Sequence, residues 1–183
     1  MAKKALIILA EGFEETEAVA CIDALRRVNI EITIAGLKSL TVKGSHQISI
    51  IADKELDKVS GDFDALILPG GMPGAMNLAA SQKERSLIME IFGKGKIIAA
   101  ICASPALVLP ATGILNNKTA TCFTGMQDSF DKTTRYKQEN VVIDGNIITS
   151  RGPGTALMFA ASIVEKLLGK DISERLKKDM LVS

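Results

Sequence analysis

Short unbroken apolar runs punctuate this chain, with polar or glycine-rich stretches between them. Residues 5–10 (ALIILA), 65–68 (ALIL) and 97–101 (IIAAI) show no alternation, the pattern of strands covered on both faces. Residues 30–35 predict another strand, which Gly36 ends. Over residues 16–28, Val19, Ile22, Ala24, Leu25 and Val28 recur at helical spacing. Residues 84–92, 106–109 and 156–168 read as further helices, the last stopped by Gly169. Shorter β-like stretches fall around Val42 and over residues 48–51, 119–122, 141–143 and 147–149, with Asp144-Gly145 as a hairpin signal. Alternating strands and helices predict an α/β domain built on a mostly parallel, doubly wound sheet. Ligands bind such sheets outside the carboxyl ends of the strands, so the loops after Ala10, Leu68, Ile101 and Thr149 are the places to search.

Composition narrows the chemistry. The 183 residues predict one domain spanning 1–183. Twenty-two Lys and Arg against 21 Asp and Glu leave a net charge of +1, with no basic field for nucleic acid, and without Trp there is no stacking platform for bases. Cys21, Cys102 and Cys122 lack zinc or CxxC spacing, and His46 is the only histidine, so no metal, disulfide framework or cofactor is expected. The basic start and short apolar run mimic a signal peptide. However, Glu11, Glu14, Glu15 and Glu17 follow at once, so a buried strand is the better reading, with no membrane span and a cytoplasmic location.

Each of the four loops carries unusual residues. In KIIAAICASPALVL, Cys102 stands where a buried strand meets a helix, the place of a nucleophile in a strand-turn-helix elbow. A lone cysteine is more often a small buried hydrophobe, and it is the position that favours a function; there the helix N-terminus is expected to depress the thiol pKa. Cys21 and Cys122 have no such placement. LPGGMPGAMN offers backbone N–H groups to an anion or forms a tight turn, and it matches neither the P-loop nor GxGxxG. The acidic cluster in EGFEETEAV suits a helix start, yet one of its carboxyls beside the elbow could exchange protons with a thiolate. In SRGPGTALMF, Gly152 and Gly154 flank Pro153 in a rigid turn packed near the elbow. Asp128, Asp131, Lys132 and Arg135 read as a solvated loop.

Taken in order, ALIILAEGFEETEAV, LPGGMPGAMNL, IAAICASPALVL and ITSRGPGTALMFAASIVEKLLGK resemble the ThiJ/PfpI superfamily, in its DJ-one or parkinsonism-associated branch, over residues 4–169. The resemblance implies a flavodoxin-like three-layer sandwich. Cys102 would be the reactive nucleophile and Glu17 the carboxylic acid beside its sulfur, with Glu14 a second acid lining the pocket. Gly71 and Ala103 would supply the oxyanion-binding backbone N–H groups. It further implies a cytoplasmic homodimer with the pocket near the dimer interface. One position departs from the pattern: some members carry a histidine near the cysteine, and here Phe123 stands in TATCFTGMQ. A Cys-Glu site is therefore expected in place of a Cys-His dyad, while His46, in a loop where relatives often carry a basic residue, is read as exposed. The implied function is a cofactor-independent glyoxalase III-type lyase, or a deglycase, acting on methylglyoxal, glyoxal and their early adducts with proteins or nucleotides to release a 2-hydroxy acid. The alternative is a redox-sensing stress protein or chaperone in which Cys102 is oxidised to sulfinate.

Overall fold

The computed structural model describes residues 2–182. Its elements run β1 (Lys4–Leu9), α1 (Glu15–Arg27), β2 (Glu31–Gly36), β3 (Thr41–Lys43), β4 (Ser49–Ile51), β5 (Lys54–Glu55), β6 (Ala65–Leu68), α2 (Gly74–Ala79), α3 (Gln82–Gly93) and β7 (Ile97–Ile101). After these come α4 (Ser104–Leu107), β8 (Thr119–Ala120), β9 (Arg135–Tyr136), β10 (Val141–Asp144), β11 (Ile147–Ser150), α5 (Ala156–Leu168) and α6 (Lys170–Asp179). Seven strands form one sheet in the order β10-β11-β7-β6-β1-β2-β5. Every pairing is parallel except β10 with β11, the hairpin that Asp144-Gly145 predicts. The expected doubly wound, flavodoxin-like sandwich is thus the observed fold.

Both faces of the sheet are covered, which explains why its strands are apolar without alternation. Ala5, Ile7 and Leu9 of β1, Ile67 of β6 and Ile97, Ala99 and Ile101 of β7 join a core closed by α1 and α5. Leu6, Ile8, Leu66, Leu68, Ile98 and Ala100 point the other way, against Leu78 of α2 and Ile88 and Ile91 of α3. A strand pleat sends successive side chains to opposite faces, so each residue is buried on one side or the other.

Two helices escape the apolar pattern. The glycine-rich string after β6 turns into α2, and Gly169 ends α5 at φ +95 only for the chain to re-enter a helix at once. That helix, α6, buries Leu176 and anchors through Ser173, whose hydroxyl donates to the Ala161 carbonyl at 2.8 Å. The helix after Cys102 begins at Ser104, earlier than residues 106–109 suggest, because Pro105 suits a first turn. The stretch from Asp128 to Arg135 is partly ordered by Asp131, which accepts from the Thr133 N–H at 2.6 Å.

One acid of α3 is buried with little compensation. Glu84 follows the cap Ser81 in α3, is 1% exposed, and leaves Oε1 unbonded. Burial pushes its carboxyl up to about 8 against the opposing charge of Arg85. Since the folded pKa lies above the unfolded value, the folded state binds the extra proton, and stability falls as pH rises from about 4.5 to about 8. Glu84→Gln is expected to raise stability at pH 9 by on the order of 3 kcal/mol, with a smaller gain at pH 5, in thermal melts followed across pH.

Candidate active site

β1, β6, β7 and β11 all deliver their carboxyl ends to one edge of the sheet, and the residues that follow them meet there. Cys102 is the first residue beyond β7. It sits at φ +64, a left-handed conformation that costs a non-glycine residue on the order of 1–2 kcal/mol. Neighbouring chain segments hold it there. Its N–H donates to the Ser150 carbonyl at 3.0 Å, and its carbonyl accepts from the Phe123 N–H at 2.8 Å. Two residues further on, the Ser104 hydroxyl donates to the Pro69 carbonyl at 2.6 Å, tying α4 to the loop after β6.

That loop must be glycine where it touches the elbow. A Cβ on Gly70 would stand 2.5 Å from the Cys102 Cβ and 3.0 Å from its sulfur, and Gly71 adopts φ +90. Without side chains the two residues lie close along the cysteine, and the backbone N–H groups of Gly71 and Ala103 face the sulfur.

Glu17 enters from α1, where Glu14 is the N-cap and accepts from the Glu17 N–H at 2.7 Å. This register turns the third residue of the helix inward, and Glu17 is wholly buried. Its Oε2 accepts from the Gly70 N–H at 2.7 Å. Oε1 has no well-aligned partner, although the carboxyl is close enough to Cys102 for the two groups to couple electrostatically. An unbonded oxygen costs less on a neutral buried carboxyl than on a carboxylate. Burial first, with the charge of Glu14 adding to it, pushes Glu17 up to about 7 despite the Gly70 N–H and the Cys102 thiol, both of which favour ionisation.

The thiol does not follow the expectation of a simple helix-N-terminus effect. Cys102 is pushed up to about 12, by burial foremost and by the charge of ionised Glu17 next, against the Gly71 and Ala103 N–H groups that lower it. The helix that should depress it is a single turn and is outweighed. Cys102 and Glu17 therefore titrate as a pair. Protonating Glu17 removes the repulsion and turns it from acceptor to donor, so the sulfur anion is accessible when the pair's shared proton sits on the carboxyl.

The structure brings Cys102, Glu17, Gly71 and Ala103 together. Glu14 stands behind Glu17 as cap and charge, 8% exposed. His46 is exposed and apart from the sulfur, but it is bonded. Glu15, a buried acid that sequence reasoning left among the helix-capping residues, accepts from the His46 N–H at 2.6 Å and from its ring Nδ1 at 3.0 Å. Burial raises the Glu15 pKa, but these bonds and others from the backbone outweigh it and hold the carboxyl below its ordinary value. Glu15 is thus the clasp that fastens the β3–β4 hairpin to α1. No local signal separates it from its acidic neighbours, because its partners lie some thirty residues away. Oxygens of Glu14 and Glu15 and a nitrogen of His46 lie within 4.8 Å of one another, the one such metal-ligand grouping among the described residues, and the clasp accounts for it. Cys21 and Cys122 are free and wholly buried.

A strained cysteine after a central strand, a buried protonatable carboxyl, and two N–H groups at the sulfur define a thiol-bearing flavodoxin-like protein. The chain belongs to the DJ-1/PfpI family, whose profile matches residues 3–166. It is 40% identical to the Parkinson disease protein 7 homolog of Danio rerio, over 98% of this chain and 97% of that one. It is 36% identical to the glutathione-independent glyoxalase DJR-1.2 of Caenorhabditis elegans, over 99% and 97%. The crystal structure of Drosophila melanogaster DJ-1beta superposes with a TM-score of 0.95 at 41% identity, covering the whole of both chains. These relatives support a DJ-1-type function. Among the described residues no helix is long and apolar enough to cross a membrane.

Proposed function

We propose that this protein is a cofactor-independent glyoxalase, or a deglycase in which the sulfur displaces the amine of an early hemiaminal adduct as Glu17 protonates it, with Cys102 as nucleophile and Glu17 as acid and base. The observation that carries the reading is the wholly buried Glu17 carboxyl, raised to about 7 and coupled to a cysteine at φ +64. A carboxyl with a pKa near the working pH can both give and take a proton in one cycle. The Cys102 sulfur adds to the aldehyde carbon of methylglyoxal, and the Gly71 and Ala103 N–H groups hold the oxygen as negative charge develops on it. Glu17 protonates that oxygen, giving a hemithioacetal, and as carboxylate removes the hydrogen from the former aldehyde carbon. The resulting enediolate collapses to a thioester as Glu17 returns the proton to the adjacent carbon and the hemithioacetal hydroxyl proton passes to the former ketone oxygen. Water then cleaves the thioester, releasing lactate and restoring the thiol. Production of lactate from methylglyoxal by purified protein without glutathione tests the reading, and absence of lactate would reject it.

A redox-sensing role is the second reading. It draws on the same N–H groups and the same protonated Glu17, which would hold a sulfinate on Cys102. A Toxoplasma gondii DJ-1 of 35% identity has been solved in an oxidised form. Intact-mass measurement after peroxide would show two oxygens on Cys102 ahead of Cys21 and Cys122; equal oxidation of all three would count against it. Three free thiols suit a reducing cytoplasm.

The proposed homodimer has a surface to use. Val19 of α1, Leu157 of α5 and Leu181 are exposed around a groove of about 490 Å³ that also takes in Thr16 and Pro153, beside the site. A second copy is the occupant that the family resemblance supports. Light scattering should give twice the 19.5 kDa chain mass, and Val19→Glu with Leu157→Glu should reduce it to one chain. A monomeric wild type would reject the dimer.

A further inference from the structure

The rim of the site carries a cation that the proposed chemistry leaves without a task. Arg151 is the first residue beyond β11. Ser150 before it pairs with Ile101 and takes the Cys102 N–H, so Arg151 continues the strand alongside the reactive cysteine. Its side chain crosses to the segment that accompanies Cys102 on the other flank. Nη2 donates to the Thr124 hydroxyl at 3.0 Å, and Thr124 follows Phe123, whose N–H is bonded to the Cys102 carbonyl. Gly152 lies against the Phe123 ring, a Cβ there standing 3.4 Å from Cδ2, so Arg151, Gly152, Phe123 and Thr124 make one wall.

The guanidinium on that wall is incompletely used. Nε is buried and unbonded, Nη2 has the Thr124 hydroxyl as its one partner, and no carboxylate pairs with the group among the described residues; with Nε shut off from solvent, a ligand must meet the guanidinium at its Nη1 and Nη2 end. A buried donor left unbonded is unfavourable and rare in native proteins, and a charged one more so. Guanidinium presents its donors as a planar fork that matches a carboxylate with two parallel bonds. Phe123 supplies neither charge nor proton at this rim.

We propose that Arg151 forms a carboxylate subsite beside Cys102, favouring reagents and substrates that carry a carboxylate close to the electrophilic carbon, and the 2-hydroxy acid product. The assignment of product rests on the glyoxalase reading; the subsite does not, and its test uses alkylation alone. Iodoacetate and iodoacetamide attack the same sulfur and differ by a carboxylate against a neutral amide, so the ratio of their rates at Cys102 cancels changes in thiol reactivity.

Arg151→Gln is expected to lower the iodoacetate-to-iodoacetamide ratio about tenfold, and Arg151→Lys, which keeps the charge and loses the fork, to fall between. In the wild-type protein, lactate should protect Cys102 from iodoacetamide at concentrations where lactamide does not. An unchanged ratio in Arg151→Gln, or equal protection by lactate and lactamide, would overturn the proposal. Should Arg151→Gln fail to fold, the lysine variant and the protection assay decide it. A protein that passes these tests yet makes no lactate would keep the subsite and lose the glyoxalase reading.

Discussion

Glu17→Gln is expected to cut methylglyoxal turnover by at least about a hundredfold while making the folded protein more stable at pH 8. The two effects have one cause. Glu17 is wholly buried and its pKa stands at about 7, so near neutrality it is poised between the two protonation states that the reaction needs. Glutamine keeps the acceptor for the Gly70 N–H and fills the same volume, but it can neither take nor give the proton. The stability sign follows from linkage. The folded pKa exceeds the unfolded value near 4.5, so the wild type holds a proton that the unfolded chain has lost, and its stability declines as pH rises through about 7. Removing the ionisation should stabilise by on the order of 2–3 kcal/mol at pH 8, with the gain shrinking toward pH 5. Turnover and melting temperature, each measured across pH for both proteins, check the pair. A variant that loses activity and also loses stability at pH 8 would mean that Glu17 is held as a carboxylate for structure.

Gly71→Ala should have the largest structural effect of any single methyl in the site. At φ +90 an alanine is strained, and its Cβ would stand 2.5 Å from the Gly12 carbonyl oxygen and against the Glu14 N–H. Those are backbone atoms of the segment that starts α1, so relief by a side-chain rotation is unavailable to them. The loop must shift, carrying with it the N–H that faces the Cys102 sulfur and the neighbouring N–H that holds Glu17. A loss of about 3 kcal/mol or more is expected, read as a fall of about 10 °C in Tm, together with loss of turnover beyond what unfolding explains. An unchanged Tm with full activity would show that the loop does not set the geometry.

The parts of this architecture that depend on short-range pattern are legible in the chain. A sheet covered on both faces requires unbroken apolar runs, and residues 5–10, 65–68 and 97–101 have them. The search of four loops at one sheet edge leads to Cys102 because a cysteine directly after such a run, with no intervening loop, is an unusual juncture. What depends on distant segments is not legible. Which of Glu14, Glu15 and Glu17 faces the sulfur is decided by the exact start of α1, and a glutamate cap is an uncommon start; family resemblance, rather than spacing, singles out Glu17. Glu15 is explained only by a hairpin that folds back from beyond β2. The thiol shows the same limit. A helix-dipole argument sees the residues after Cys102, but its pKa is set by burial and by a carboxyl arriving from the start of the chain. Arg151 reads as part of a rigid turn until the structure shows a guanidinium with an unbonded edge.

The account rests on one sulfur doing chemistry with one carboxyl, and a single comparison addresses it: lactate formed from methylglyoxal, without glutathione, by the wild-type protein and by Cys102→Ser. The serine hydroxyl is a poorer nucleophile and cannot exchange the proton of Glu17 as a thiol does, so the variant should retain less than about one hundredth of the wild-type rate. Equal rates for the two proteins would contradict the assignment of Cys102 and the function built on it.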